Sequence, residues 1–539
     1  MKKARPRIVE LDSRQIEAAL EQAKAALPEQ TYEVLAAIVE AYRFVLEQLA
    51  RKRASLGRLR RMLFGARTEK TCELLKSAAA RGSASEPSKK LAARKPRPPG
   101  HGRNGAADYP QAKTVPVAHG KLHAGDHCPC CRKGKVYEQP EPGVLVRVTG
   151  QAPLEAKIFQ LEKFRCNLCG EVFTARPPEG VGAEKYDATS SAMIALLKYG
   201  SGVPFHRLDR LQSSLGLPLP AATQWEIVHE AARPIEPAYE ELVRQAAQGK
   251  VLHNDDTNMK ILAWMGSRRE QMRREPKGSK GERTGIFTSG IVSLDQKWRI
   301  ALFLTGHRHA GENLETVLQR RAVNLGRPIQ MCDALSRNVP SKFKTFLANC
   351  LAHGRRQFVE VLENFPAECA YALKLFRKVY HHDAIARRRG MGPAQRLSYH
   401  QADSGPLMEE LHAWMERQFA EKRVEPNSGL GEAIRYMLKH WEKLTLFLRR
   451  AGAPLDNNIV ERALKKAILH RKNALFYKTE NGARVGDLYM SLIHTCEMNG
   501  ADPFDYLTQV QRHAKEVREH PERWLPWNYL KSLPHTRSP

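Results

Sequence analysis

The alternation of apolar and polar positions along the chain changes period several times. Between residues 30 and 70 apolar side chains recur at heptad spacing: Leu35, Tyr42, Leu49, Leu56 and Leu63 on one register, Ile38, Val45 and Leu59 on the other, with Lys52 and Gly57 interrupting. A seam of two registers predicts a helix that pairs with a second copy, although an amphipathic helix docked on its own chain carries the same stripe. Residues 1–77 are therefore expected to be helical and partly coiled-coil. From 78 to 118 the pattern stops, and "AAARGSASEPSKKLAARKPRPPGHGRNGAADYP" offers almost nothing to bury. It reads as a disordered basic linker, in which Arg94, Lys95 and Arg97 suit either a DNA groove or a solvated tether.

Residues 183–248 read as helices punctuated by Gly and Pro. With "SLGLPLP" as a turn, a helix-turn-helix around Leu208 to Val228 is one reading and an ordinary helical pair the other. After residue 250 the period shortens. "KVLHNDDTNMKILAW" predicts a strand, "GIFTSGIVSLDQKWRIALFL" a hairpin around Leu294 to Lys297, and "GRPIQMCDAL" a buried strand ending at Asp333. Strands all but vanish from 355 to 450, where segments such as "LGEAIRYMLKHWEKLTLFLRRAG" are helical, and "PLDNNIVERALKKAILHRKNALF" opens a last helical region over 451–539. The expected fold class is multidomain α/β, with a strand-rich core in two parts, 249–354 and 451–539, split by a helical insertion.

Cysteine spacing adds a further unit at 119–182. "HCPCCRKGKVYEQ" and "EKFRCNLCGEVF" each hold a C-x-x-C, Cys128 with Cys131 and Cys166 with Cys169. Two short turns that each present two sulfurs suit one tetrahedral structural Zn²⁺, with Cys130 a poorly spaced spare; small buried cysteines are the alternative. The charge names the partner class. At 539 residues the chain exceeds one core, and 87 Lys and Arg against 58 Asp and Glu leave +29, which attracts polyanions. Nucleic acid fits better than a membrane, because no apolar run approaches the roughly 18 residues of a spanning helix. "MKKARPRIVELDSRQ" has no apolar stretch behind its charge to act as a signal peptide, so a cytoplasmic location is expected.

Against this basic background three acids stand at the ends of elements: Asp255 on the first strand, Asp333 at the end of a later one, and Glu461 in a helix whose core-facing stripe is Val460, Ala463, Leu464, Ala467 and Ile468. Asp456, Asn457 and Asn458 are capping residues, so Glu461 also fits as an ordinary acid of a first helical turn. Carboxylate oxygens suit Mg²⁺, and a pair of such ions can activate a nucleophile and stabilise a leaving oxygen at a phosphodiester. Strand alternation sends Asp256, the fallback for the first acid, to the opposite face from Asp255. Cys350 and His353 invite a metal reading, but a soft pair is only half of a zinc site and Mg²⁺ would not select it, so a structural or DNA-contacting role is expected of them. His353, Arg355 and Arg356 are candidates for phosphate contact, as are Arg462, Lys465, Lys466, Arg471 and Lys472; a solvated basic face is the plainer reading of these charges.

The run "HNDDT", Asp333, "CLAHGRRQF" and "LDNNIVERALKKAILHRKNALFY" together resemble the IS66 family of bacterial insertion-sequence transposases. The likeness continues into "GARVGDLYMSLIHTCEMNGADPFDYL" and reaches back to "LRRMLFGARTEK", "GHGR" and the cysteine segment. It implies a zipper-like first helix, a zinc-binding segment and a ribonuclease-H-like catalytic domain whose Asp-Asp-Glu triad falls on Asp255, Asp333 and Glu461. It further implies two Mg²⁺ (or Mn²⁺), cleavage at the element's terminal inverted repeats to free 3′-hydroxyls, and joining to target DNA. A homodimer or larger homo-oligomer is expected, with small companion proteins encoded beside some relatives. "DALSRN" departs from the glycine and aromatic residues that follow the second aspartate in many relatives, and "DDT" from an acid-glutamate-threonine. A non-catalytic DNA-binding regulator derived from a transposase is the competing function.

Overall fold

The computed structural model of the chain describes residues 13–40, 114–138, 145, 151–169, 171–182, 184–266 and 285–533. The linker cluster Arg94, Lys95 and Arg97 and the heptad positions from Tyr42 to Leu63 lie outside these residues. The helix Ser13–Ala26 ends before Pro28, and a second helical stretch begins at Glu29; there Val34, Leu35 and Ile38 are exposed. The rest divides into two compact units, one within residues 242–260 and 270–467, the other within 85–241, 261–269 and 468–539.

The second unit holds the cysteine segment as two tight turns. Around the first pair His127 bridges to Lys135, Cys128 N–H donates to Gly134 O at 2.7 Å, and Arg132 takes a positive φ. Around the second pair β1 (Lys163–Arg165) and β2 (Val172–Thr174) form an antiparallel hairpin, closed by Cys166 N–H on Glu171 O at 2.9 Å. Its helices centre on Glu480–Asn499, most of whose side chains are buried because apolar and small residues surround it. Tyr489 of that helix stacks on Tyr199 at 5.3 Å. Within the predicted helix-turn-helix stretch, the helix Phe205–Ser214 is followed by Ala221–Ala246, with Leu208, Leu219 and Val228 buried. The Gln224 amide donates to Phe205 O and Leu219 O, tying the turn to both helices.

The first unit is built on a five-stranded mixed sheet of order β5-β4-β3-β6-β7, comprising β3 (Val251–Asn258), β4 (Phe287–Leu294), β5 (Arg299–Gly306), β6 (Ile329–Cys332) and β7 (Phe346–Asn349). The first three pair antiparallel, and β6 and β7 run parallel to β3. The four residues of β6 and the interior of β4 are buried, so both strands are covered on both faces, with Gln330, Thr288, Ser289 and Ser293 among their buried polar groups. The central strand β3 is instead polar, and its buried groups are paired. Asn254 donates to Asn338 O at 2.7 Å and accepts from Gln330 at 2.9 Å, while His253 Nδ1 lies 3.0 Å from Asn457 Oδ1.

Helices of the insertion follow β7. Leu351–Val361, Pro366–Arg388, Gly405–Ala420 and Gly429–Lys439 share a core of Phe358, Leu373, Phe376, Leu411, Met415, Leu430, Ile434 and Met437. Among them Asp383, fully buried, holds an ion-pair hub. Arg387 and Arg396 reach its two oxygens, and His400 Nε2 stands 3.3 Å away. Gly354 fits where it does because a Cβ there would run into Met437 Sδ, so the first insertion helix lies close against Gly429–Lys439.

Candidate metal centre

Three elements of the sheet unit deliver the candidate acids. β3 and β6 pair only through Val251–His253 and Ile329–Met331, so both strands have left the shared ladder where Asp255 and Asp333 emerge. Asp333 follows the last residue of β6, and Asp255 lies opposite Gly290 of β4. That glycine brings in the third acid. A Cβ at Gly290 would lie 2.9 Å from Leu464 and 3.2 Å from Val460, so the helix Asn458–Ala474 rests directly on β4, with Glu461 in its first turn. Asn457, fully buried just before the helix, fixes its start: it donates from its side chain to Asn254 O at 3.2 Å and from its backbone to Cys350 Sγ at 3.3 Å. Asp456 Oδ1 accepts from Asn458 N–H at 3.2 Å, as a capping residue does.

Asp255 and Asp256 have separate fates. The Asp256 side chain is 2% exposed, 2.8 Å from His309 Nδ1 and 3.6 Å from Arg337. Asp255 accepts only the Asp256 N–H at 2.8 Å and a long 3.5 Å contact from Asn338. Its carboxyl is pushed up to about 7, first by burial, then by the charge of Asp333, with smaller contributions from Asp256 and Glu461. The first acid is thus electrostatically coupled to the other two, whereas the second aspartate of the pair is tied up in the fold.

The second and third acids meet through a residue from another element. His353, in the first turn of Leu351–Val361, places Nδ1 2.6 Å from Asp333 Oδ1 and Nε2 3.7 Å from Glu461 Oε1. The short contact is ionic in distance without hydrogen-bond alignment: Asp333 Oδ1, His353 Nδ1 and Glu461 Oε1 are all buried without a hydrogen-bond partner. Burial by itself would lower the imidazole's pKa. The contacts with Asp333 and the Cys350 thiol outweigh burial and hold it up at about 10, so the imidazolium stands between the two acids. Among the described residues, one set of three or more His, Cys, Asp or Glu ligand atoms lies within 4.8 Å of one another: Asp333, Cys350, His353 and Glu461. Buried donors without partners, converging from separate elements, fit a divalent cation. Asp255 stands beside this set rather than within it.

The four zinc-candidate cysteines do not form such a set among the described residues. Each pair keeps its own turn. Cys131 Sγ accepts from Gly134 N–H at 3.5 Å, and its thiol is lowered by the backbone amides of Gly134 and Lys133 and by Cys128. Of the candidate phosphate contacts, Arg462, Lys465 and Lys472 are exposed along the Asn458–Ala474 helix, while Lys466, Arg471, Arg355 and Arg356 are half-buried. Sequence reasoning did not single out Asn457 beyond its capping role, nor His309 and Arg337 at all. A sequence shows no pairing between residues 53 or more positions apart. The one available sign was the C-x-x-H of Cys350 and His353, beside which the structure places two of the three candidate acids, Asp333 and Glu461.

Residues 185–485 match the family described as "Transposase IS66 family". The chain is 26% identical over 440 residues, covering 75% of it and 74% of the relative, to the uncharacterized protein y4hP of Sinorhizobium fredii. It is 25% identical over 419 residues to the uncharacterized protein y4jD of the same organism, covering 75% of this chain and 78% of that one. A third, y4qI, also uncharacterized and from that organism, is 33% identical over 194 residues, 34% of each chain. No solved structure matches the chain.

Proposed function

This chain belongs to the IS66 transposase family, and on that premise we propose that it binds the terminal inverted repeats of an insertion sequence, frees 3′-hydroxyls there and joins them to target DNA. Asp255, Asp333 and Glu461 would hold two Mg²⁺ (or Mn²⁺), which when bound supply an activated nucleophile and charge neutralisation at the scissile phosphate. The convergence of Asp333 and Glu461 into one ligand set, with Asp255 sensing both charges, is the observation that carries this reading.

The protein's own groups do the remaining work. Asp256 and Asn457 brace β3 and the Glu461 helix, so the acids are presented from rigid elements. Arg462 and Lys465, exposed beside Glu461, are placed to hold phosphates, and the +29 charge speeds encounter with DNA. The strand order, three antiparallel strands followed by two parallel to the first, supports a ribonuclease-H-like assignment for this unit. The paired helices Phe205–Ser214 and Ala221–Ala246 suit a DNA-binding helix-turn-helix, and the two cysteine turns suit a structural Zn²⁺ that closes when all four thiolates gather. Among the described residues no helix is long and apolar enough to cross a membrane, in keeping with work on DNA in the cytoplasm. Exposed Val34, Leu35 and Ile38 support self-association through the first helices, with companion proteins a further requirement in some relatives.

Labelled element-end DNA incubated with Mg²⁺ tests the proposal. The unmodified chain should nick at the ends and form joined products, and Asp333→Asn should bind equally and lose at least about 1,000-fold in nicking. Binding without metal-dependent nicking by the unmodified chain would leave the non-catalytic regulator. Nicking without joined products would reduce the activity to that of a nuclease.

A further inference from the structure

Beside the carboxylates that suit Mg²⁺, the centre carries softer donors that the proposed chemistry does not use. Mg²⁺ takes hard oxygen donors, yet the atoms within 4.8 Å of one another include the Cys350 sulfur and a His353 nitrogen beside the oxygens of Asp333 and Glu461. One thiolate, one imidazole and two carboxylates make a four-coordinate zinc donor set. Cys350 is fully buried as the residue that caps the eleven-residue helix Leu351–Val361, and its sulfur accepts the Asn457 N–H. Three of the other donor atoms are buried without hydrogen-bond partners. Asp255 is not part of the set.

We propose that Asp333, Cys350, His353 and Glu461 form a second, soft-metal site for Zn²⁺ that overlaps the catalytic centre and blocks it. Binding releases the Cys350 thiol proton and the extra imidazole proton to solvent, and forms bonds from zinc to sulfur, nitrogen and the two carboxylates. Because Asp333 and Glu461 cannot serve both ions in full, zinc and the hard cations exclude one another. Free zinc then becomes an off-switch for strand cleavage. This regulatory consequence rests on the transposase reading, whereas the site itself does not.

The full-length protein would be titrated with Zn²⁺ and, for a thiolate-to-metal absorption band, with Co²⁺. Metal content per chain is compared among the unmodified protein, Cys350→Ser, His353→Gln and Asp255→Asn. The cysteine turns of the zinc segment contribute equally to all four. Cys350→Ser and His353→Gln should each bind one equivalent fewer, and Cys350→Ser should lose one thiolate's share of the band, while Asp255→Asn retains both. Equal stoichiometry and equal bands in the unmodified protein and His353→Gln would overturn the site, even if Cys350→Ser fails to fold. In the nicking assay, Zn²⁺ at the concentration that fills this equivalent should stop Mg²⁺-dependent cleavage. Undiminished cleavage with the equivalent filled overturns the block. A protein that takes up the equivalent but never nicks with Mg²⁺ alone refutes the transposase reading and leaves the zinc site standing.

Discussion

Asp255 and Asp256 are neighbours in the chain with opposite tasks. The alternation of a strand separates them, and the sequence therefore allowed Asp255 to be set on the same face as Val251 and His253. What it could not show is why Asp256 is unavailable: its partners His309 and Arg337 come from elements far along the chain. Two different costs follow. Asp256→Asn removes a buried, paired charge and should destabilise the protein by about 1–3 kcal/mol. Asp255 carries a carboxyl pushed up to about 7, well above its unfolded value. Its folded form holds a proton that the unfolded chain has lost, so the group weighs against folding as pH rises from about 4 through 7. In magnesium-free buffer at pH 8, Asp255→Asn should raise stability by about 1–3 kcal/mol, read by chemical denaturation. A loss of stability at Asp255 and a gain at Asp256 would reverse the assignment of the pair.

At the scale of elements, legibility followed signal length. The hairpin of β4 and β5 was readable because each strand is a long run with a polar turn between, closed by Asp295 N–H on Trp298 O at 3.1 Å. The helix after Asp456 was readable from its caps and its apolar stripe. Four-residue β7 was not, since Phe346–Asn349 is too short to establish a period and gains its pairing from β6 alone. Nor was the role of Gly290, a glycine whose need is set by a helix 170 positions on. The insertion was legible as helical, but its polar hub was not. Burial opposes the ionised form of Asp383, and the contacts from His400, Arg396 and Arg387 more than offset this, holding the carboxyl down at about 2. The folded pKa lies below the unfolded one, so the hub's contribution is complete above about pH 4 and is lost as pH falls toward 2. Acid unfolding followed by circular dichroism should show the unmodified protein losing stability across that window. Asp383→Asn should start lower by about 2–4 kcal/mol at pH 7 and lose less on acidification. An unchanged pH dependence in the variant would remove Asp383 from the account.

For the whole molecule, the charge surplus pointed to polyanions before any site was visible, and the structure adds where some of it is displayed. Arg462, Lys465 and Lys472 are exposed on the helix that carries Glu461, an arrangement in which, under the proposed function, the cations would meet phosphate and the acid the metal. Arg462→Ala combined with Lys465→Ala should weaken binding to element-end and unrelated DNA alike. It should also reduce the slope of log affinity against log salt by about 2, one unit for each phosphate left without its cation. An unaltered slope would make these residues a solvated face. The C-x-x-C spacing made the two cysteine turns legible, while a spacing does not encode whether the two pairs meet, and among the described residues they do not form one ligand set.

The account depends on Asp333 contacting a divalent ion during cleavage of DNA, and exchanging its hard oxygen for a soft sulfur tests that role. Nicking of labelled element-end DNA by Asp333→Cys would be followed in Mg²⁺ and in Mn²⁺, beside the unmodified protein. The prediction is no product above background in Mg²⁺ and recovered product in Mn²⁺, which accepts sulfur more readily. Nicking by Asp333→Cys in Mg²⁺ at the rate of the unmodified protein would contradict the account.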